Sequence, residues 1–182
     1  MSFRSFDEMW LVNAPNGPRF EDGTEMRCEP VEMLADGLIV SPSAERNKGP
    51  AIRLGQTPLP NVDAPCPLDV HDAVWPAENV AAVVCINMIH IAPPSATQAL
   101  LRGAGTVVAP GGILFLYGPY RREGRHTSPG NEAFDARLRA ENPQWGVRDL
   151  EDVVQRAHDL GFDLDQVHDM PANNLSVIFR KR

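Results

Sequence analysis

Residues 81–120, AAVVCINMIHIAPPSATQALLRGAGTVVAPGGILFLYGPY, decide the fold of this chain. Residues 81–91 are an almost unbroken apolar run, which is typical of a parallel strand covered on both faces. A pair of prolines ends this run, and Ser95 is a candidate N-cap for the helix that follows. The turn Pro110-Gly111-Gly112 ends that helix, and residues 113–117 form the next buried strand.

This stretch predicts a strand–helix–strand unit of an open α/β sheet, in which ligands lie beyond the carboxyl ends of the strands. The predicted strands are 81–87, 113–117, 162–168 and 175–180, with a brief strand end at 67–70, and the predicted helices are 95–108, 131–141 and 149–160. Asp149 is the expected N-cap of the last helix, and Phe134 and Leu138 are the expected apolar face of the middle one. Upstream of residue 81 the sequence has no glycine-rich strand-to-helix turn.

A length of 182 residues fits one domain, or one domain with a loose appendage. Residues 1–38 are rich in turn signals and predict one short strand or hairpin at most. We therefore expect an unassigned N-terminal segment at 1–38 and an α/β domain at 39–182. The formal net charge of -7 argues against nucleic acid or a membrane surface as a partner.

The cellular location is predicted from cysteine usage and from the N-terminal sequence. Three widely spaced cysteines indicate a reducing compartment. The N-terminus lacks the apolar segment of a signal peptide, and no apolar run approaches the about 20 residues of a membrane helix. We expect a cytoplasmic protein. The five histidines have no metal-ligand spacing, so no metal site is expected.

Polar residues at predicted strand ends are the first candidates for a site. Asp69 follows a predicted strand end, where its carboxylate can accept a ligand amino group or can be a solvated loop acid. Asn87 and His90 interrupt an apolar strand, and they either face a ligand or bond to neighbouring loops. Cys85 lies inside that strand, where a structural role is expected.

Two further segments need an interpretation. Gly103-Ala104-Gly105 resembles part of a dinucleotide fingerprint but falls within a helix, so close packing of that helix against the sheet is the preferred explanation. Residues 117–148 are dense in aromatic and polar groups, and a strand leads into them. This places them at the ligand-binding edge of the sheet.

Six ordered segments resemble the family that contains methyltransferase-like protein 26. They are SPSAERNK at 41–48, CINMIHI at 85–91, LYGPY at 116–120, HTSP at 126–129, WGVRDLEDV at 145–153 and MPANNLS at 170–176. The resemblance implies the Rossmann-like sheet of class I methyltransferases, S-adenosylmethionine as cofactor and a methyl acceptor that the family leaves undefined.

The resemblance also implies roles for particular residues. Asp69 takes the position that holds the adenine amino group of the cofactor. The backbone that lines its methionine part is that of Ile86, Asn87, Met88 and Ile89. The residues that would shape the acceptor pocket are Tyr117, Tyr120, His126 and Asn174.

The chain departs from this family at one place. Family members carry a strand, a glycine-rich turn, a helix and a second strand between the segments that match 41–48 and Leu59-Pro60-Asn61-Val62. Here only residues 49–58 separate them. We therefore expect a sheet truncated at the first β-α-β-α block. Because that turn would supply backbone N–H groups to the cofactor, we also expect weak or undetectable affinity for S-adenosylmethionine.

The sequence thus predicts an S-adenosylmethionine-dependent methyltransferase-like protein whose partner is a small-molecule methyl acceptor of unknown identity. It leaves open whether this chain is an active enzyme. The alternative is a non-enzymatic binding or scaffold remnant of a methyltransferase fold, and a third possibility is a gene product without a stable fold.

The truncation has a structural consequence. It leaves the strand at 81–86 with an unpaired apolar edge, and such an edge recruits a partner strand. The candidates are residues 8–13 of the same chain and the equivalent edge of a second chain. We expect either a patch by the N-terminal segment or self-association.

Overall fold

The computed structural model describes residues 68–182 in full and three short strands before them by their backbone. The chain forms two compact units, one of Met1–Phe6 with Ala14–Asp69 and one of Asp7–Asn13 with Val70–Arg182. In the first unit, strand β2 (Glu32–Met33) pairs antiparallel with β3 (Ile39–Val40). The division expected at residue 38 stays a prediction, because residues 41–67, which follow it, all lie outside the described residues.

The second unit contains one sheet with the order β1-β4-β5-β9-β8. Its main strands are β1 (Met9–Val12), β4 (Val80–Ile86), β5 (Val108–Arg122), β8 (Phe162–Met170) and β9 (Asn174–Lys181). Strands β4 and β5 are parallel, and every other neighbouring pair along this order is antiparallel. Two short strands, β6 (Arg125–His126) and β7 (Arg148–Asp149), pair with the end of β5. The four predicted strands within 81–182 are present, but β5 extends well beyond the predicted 113–117, and Pro110-Gly111-Gly112, predicted as a turn, lies within it. The prediction of that turn was wrong because the parallel pairing with β4 already begins at Val108.

Among the described residues, three α-helices accompany the sheet: α1 (Pro94–Val107), α2 (Pro129–Glu141) and α3 (Leu150–Asp159). The N-cap of α1 is Pro93, so the prediction of Ser95 was wrong. Prolines fit the first turn because its N–H groups need no intrahelical acceptor. Asp149 is the N-cap of α3, but its side chain makes no capping bond and accepts the N–H of Gly124 at 3.0 Å instead.

The core lies between the sheet and helices α1 and α3. Inward-facing residues of β5 and β9 alternate along the strands, and the fully buried ones include Leu114, Leu116, Val177 and Phe179. Helix α1 supplies a row of small and aliphatic residues against them: Ala96, Ala99, Leu100, Ala104 and Val107. This apolar burial is the main favourable term for folding of the unit.

Strand β1 covers the edge of β4 that the truncation would leave open. Its register pairs Met9 with Cys85 and Val12 with Ala82, in antiparallel orientation. The first of the two expected arrangements, a patch by the chain's own N-terminal segment, is therefore present. Self-association stays a prediction.

One other prediction was wrong. Residues 68 and 69 have no regular structure and a turn follows, so no strand ends there. Pro67, just before them, has no N–H group to donate to a neighbouring strand. The glycine-rich part of α1 does lie against the sheet at Gly105, where a Cβ would be 3.9 Å from the ring of Phe162, but Gly103 has a different neighbour. A Cβ at Gly103 would lie 2.1 Å from the indole of Trp75, so this glycine makes room for a buried tryptophan.

Candidate functional site

The carboxyl ends of β4 and β5 lie side by side, and a 3-10 turn, Met88–His90, follows β4. Asn87 connects strand and turn with a φ of 60°, a left-handed conformation that asparagine tolerates better than most residues. Its N–H donates to the carbonyl of Tyr117 at 2.8 Å, and its own carbonyl accepts the N–H of His90 at 3.0 Å. The turn is thus fastened to β5 where a ligand was expected.

His90 is completely buried. Its Nδ1 accepts the backbone N–H of Arg148 at 3.3 Å, so the hydrogen of the neutral ring resides on Nε2. Burial, assisted by the charge of Arg148, lowers the pKa of His90 to about 3. The ring is therefore neutral near pH 7, and Nε2 has no hydrogen-bond partner among the described residues.

Arg148 closes the same turn from the other side. Its Nε donates to the carbonyl of Ile89 at 2.8 Å, and Nη2 donates to the carbonyls of Ala92 and, at 3.1 Å, Gln144. Three carbonyl oxygens thus share one guanidinium. Because protein carbonyls already occupy the guanidinium, Arg148 holds the turn Met88–His90 against the loop before β7. We call this arrangement the clamp.

Asp135 of α2 organises the loop that precedes Arg148. Its carboxylate accepts the N–H of Val147 at 2.7 Å and the Nε of Arg139 at 3.0 Å, and it lies 3.5 Å from Nε2 of His126. Burial alone opposes ionisation, but the bonds from Arg139 and Val147 outweigh it, so the pKa of Asp135 lies below its ordinary value. His126, a predicted pocket residue, is held by this carboxylate.

A second turn at the same edge joins β8 to β9 and contains Pro171–Asn173. Asn174 follows it and donates its amide N–H groups to the Tyr117 hydroxyl and to the Pro171 carbonyl, both at 3.2 Å. Asn131 of α2 donates to the carbonyl of Asn173 at 2.9 Å. Two of the four predicted pocket residues, Tyr117 and Asn174, are therefore in direct contact.

The other two pocket candidates lie apart from this pair. Tyr120 is fully buried with its ring edge-on to His90, at a centroid distance of 5.1 Å, and its hydroxyl has no partner among the described residues. Burial raises the pKa of Tyr120. His126 lines a shallow, open depression formed by the loop at 124–129 and Glu132.

The predicted cofactor residues divide between the two units. Asp69 belongs to the first unit, and Ile86–Ile89 belong to the second. The side chains of Met88 and Ile89 are buried, whereas Ile86 and Asn87 are half-buried. The structure therefore leaves their shared role as a prediction.

Sequence reasoning missed Asp135 and noted Asn131 only as one of the polar residues at the expected ligand-binding edge. The buried residues of α2 are Asn131, Asp135 and Leu138, whereas Phe134 is half-buried, so the expected apolar face was wrong in part. The spacing of i, i+4 and i+7 was a visible signal for one helix face. It was overlooked because two of its three members are polar.

The described residues do not fit S-adenosylmethionine as a complete site. The glycine at the carboxyl edge, Gly118, is where a cofactor could approach the backbone closely. A Cβ there would lie 2.5 Å from Nε2 of His90 and 2.9 Å from Oδ1 of Asn87, so the chain's own side chains fill this space. Within the described part of the chain, no group of His, Cys, Asp and Glu residues could hold a metal ion.

Comparison with solved structures identifies the fold. The human N-acetylserotonin methyltransferase in complex with S-adenosylmethionine is similar with a TM-score of 0.56 and 15% identity, over 64% of this chain and 33% of that one. The S-adenosylmethionine-dependent methyltransferase SibL is similar with a TM-score of 0.59 and 21% identity, over 77% and 41%. A pericyclic reaction enzyme is similar with a TM-score of 0.60 and 12% identity, over 78% and 34%.

These likenesses show the α/β, Rossmann-like sheet of class I methyltransferases, as predicted, and the chain is methyltransferase-like in this sense. It spans less than half the length of each of these proteins. No helix within the described residues is long and apolar enough to cross a membrane. Residues 39–181 match the profile of a family described as a protein of unknown function, DUF938, and the chain belongs to that family.

Proposed function

We propose that this protein is a member of the methyltransferase-like protein 26 family that binds a small molecule on the acceptor side of the fold and binds S-adenosylmethionine weakly or not at all. The observation that carries the proposal is the direction of β1. In an open α/β sheet, the turn that holds a cofactor follows the carboxyl end of a parallel strand.

Strand β1 occupies the place beside β4 but runs the opposite way. Its first residue, Met9, lies beside Cys85 near the carboxyl end of β4, and its last residue, Val12, lies beside Ala82. The chain therefore leaves β1 toward the amino end of β4. A glycine turn after β1 would point away from the edge where Asn87 and Gly118 lie.

The alternative function is methyl transfer with S-adenosylmethionine. The fold favours it, and the residues for it would be Asp69 at adenine, and the backbone from Ile86 to Ile89 at the methionine part. The filled space at Gly118 opposes it, because backbone donors at close range hold such a cofactor and one carboxylate does not replace them.

Calorimetric titration with S-adenosylhomocysteine tests the proposal. We expect no binding tighter than about 100 μM, which corresponds to about 5.5 kcal/mol of binding free energy. Asp69→Ala and the matched control Asp72→Ala, which removes another exposed acid, should behave like the unmodified chain. Micromolar binding that Asp69→Ala abolishes and Asp72→Ala preserves would overturn the proposal and support the enzyme.

The proposed partner is a neutral or weakly polar small molecule rather than nucleic acid, in keeping with the formal net charge of -7. The proposed location is the cytoplasm, which the cysteine usage favours. Expression of a fluorescent fusion, followed by cell fractionation, measures the location directly. Recovery in the membrane or secreted fraction would contradict it.

The proposed state is a monomer whose sheet edge is closed by β1. Deletion of residues 1–34 removes β1 together with β2, and the loss of β1 exposes four residues of β4, from Ala82 to Cys85. We expect the shortened chain to aggregate or to dimerise in light scattering, because an apolar strand edge recruits another strand. A monomer of unchanged solubility after the deletion would contradict the role given to β1.

A further inference from the structure

We infer that Tyr117 and Asn174 form a subsite for a neutral ligand group that carries a hydrogen-bond acceptor and a donor side by side, as a carboxamide does. This inference rests on the proposed function, since it names the ligand class for the acceptor side. It is based on the hydrogen-bond pattern at the end of β5 and on the conformation of the turn Pro171–Asn173.

The orientation of the Asn174 amide is fixed by its partners. The carbonyl of Pro171 can only accept, so the group that faces it at 3.2 Å is the amide nitrogen. The same nitrogen donates to the Tyr117 hydroxyl at 3.2 Å. Both amide hydrogens are thus used, and Oδ1 of Asn174 remains as an acceptor.

The Tyr117 hydroxyl receives a hydrogen bond from Asn174, so its own hydrogen is available for donation. A ligand at this place meets one donor and one acceptor that are already in contact. The side chain of Asn174 belongs to a residue that is only 9% exposed. Its orientation is therefore set before a ligand arrives.

The turn that presents this pair is strained. Ala172 and Asn173 both have left-handed backbone conformations, with φ of 58° and 56°. Asn131, a buried residue, donates to the carbonyl of Asn173 at 2.9 Å and to Oγ1 of Thr127 at 2.9 Å, and it holds the turn in place. Strained backbone of this kind is concentrated at active sites and ligand clamps, where the surrounding structure maintains it.

The pair selects by charge as well as by shape. A carboxylate would accept from the Tyr117 hydroxyl but would face the lone pairs of Asn174 Oδ1. A cation would face the hydroxyl hydrogen. A neutral carboxamide satisfies both groups, because its oxygen accepts and its N–H donates. Met170 lies opposite Asn174 in the sheet register and is 37% exposed, so it offers apolar surface to the remainder of the ligand.

Titration of the full chain with benzamide, followed by saturation-transfer NMR, tests the subsite. Benzoate has the same shape with a charge, and N,N-dimethylbenzamide keeps the acceptor but lacks the N–H donor. We expect benzamide to bind with a Kd of about 1 mM, a reasonable affinity for nine non-hydrogen atoms. The two analogues should bind about fivefold more weakly, the effect of one lost hydrogen bond.

Tyr117→Phe removes the donor and keeps the ring, so benzamide binding should also weaken about fivefold. Thr106→Val is the matched control, because it removes a hydroxyl that bonds to the Gly103 carbonyl within α1. It should leave the Kd unchanged. Thermal denaturation verifies that both variants are folded.

Equal affinity for the three probes, an unchanged Kd in Tyr117→Phe, or an absence of benzamide binding would each overturn the inference. The result is separable from the cofactor titration. Selective benzamide binding together with micromolar S-adenosylhomocysteine binding would sink the proposed weak cofactor affinity but keep the subsite. If neither benzamide nor S-adenosylhomocysteine binds, the proposed weak cofactor affinity stands and the subsite is ruled out.

Discussion

Two turns at the carboxyl edge of the sheet differ in how their polar groups are used. In the turn Met88–His90, backbone and side-chain groups bond to β5, to Arg148 and to the loop before it. The turn Pro171–Asn173 has a strained backbone, and Asn174 directly after it donates to the Tyr117 hydroxyl and to the Pro171 carbonyl. Both turns carry unusual residues in the sequence, yet the first is a structural clamp, whereas at the second we infer a ligand subsite.

The largest effect is expected from Gly118→Ala, which breaks the clamp. The added Cβ would lie 2.5 Å from the ring of His90, and that ring is fully buried and cannot move aside. We expect the free energy of unfolding, measured in urea, to fall by about 3 kcal/mol, the upper range for an overpacked site.

Gly130→Ala is the matched control for this substitution. Its Cβ would meet only the Ser128 hydroxyl at 3.7 Å, an ordinary contact in the first turn of α2. Its stability should change by less than about 1 kcal/mol. Equal losses in both variants would contradict the view that the space at Gly118 is filled.

The second prediction concerns acid. Because the pKa of His90 is about 3 in the folded chain and the ordinary value of 6.5 applies in the unfolded chain, the unfolded chain takes up a proton between these values and the folded chain does not. The free energy of unfolding should therefore fall as pH falls below 6.5, by about 2–3 kcal/mol at pH 4.5.

Urea denaturation at several pH values measures this dependence. His90→Gln should flatten the slope between pH 6.5 and 4.5, whereas His158→Gln, whose side chain is 59% exposed, should preserve it. Asp135 stays ionised in that interval because its pKa is lowered. An unchanged slope in His90→Gln would mean that another group causes the dependence.

The third prediction concerns a substitution that loosens the strained turn Pro171–Asn173. Asn131→Ala removes the bonds to Thr127 and to the Asn173 carbonyl, so we expect a loss of about 1–2 kcal/mol in stability. Benzamide binding should weaken as well. Asn142→Ala, which removes an exposed amide that accepts the N–H of Gln144, should leave benzamide binding unaltered; a parallel loss there would show that the effect is general.

The smallest effect is a gain. Ala172→Gly relieves a left-handed alanine with φ of 58°, and we expect stability to rise by about 0.5 kcal/mol. Ala140→Gly, at an exposed position of α2, should lower stability by about 1 kcal/mol. A loss at both positions, measured by thermal denaturation, would mean that Ala172 is not strained.

The strands and helices within 81–182 were predictable because apolar runs, prolines and glycines mark them locally. Strand β1 was predictable as one of two alternatives, from the exposed edge that a truncated sheet leaves. The roles of individual polar residues were not predictable. Asn87 and His90 look like ligand contacts in the sequence, and only the long-range bonds to Tyr117 and Arg148 reveal their use as a clamp.

The same limit explains Asn131 and Asp135. A polar residue at a buried helix position looks like a solvated one until its partners are known. One partner of Asp135, Val147, lies 12 residues further along the sequence. The orientation of the Asn174 amide likewise depends on the fold of the turn. The residue types indicate which hydrogen bonds these side chains can form, and only the tertiary contacts show which ones they do form.

The pairing of β1 with β4 also has a consequence for synthesis of the chain. Met9 leaves the ribosome 76 residues before Cys85, its partner in the register. During that interval, lasting several seconds at about 5–20 residues per second, β1 has no strand to pair with. Once β4 emerges, the two must close a long loop, which is slow compared with local contacts. Nascent chains on one messenger are neighbours at that moment, so exchange of β1 between them is the expected misfolded product at high rates of translation.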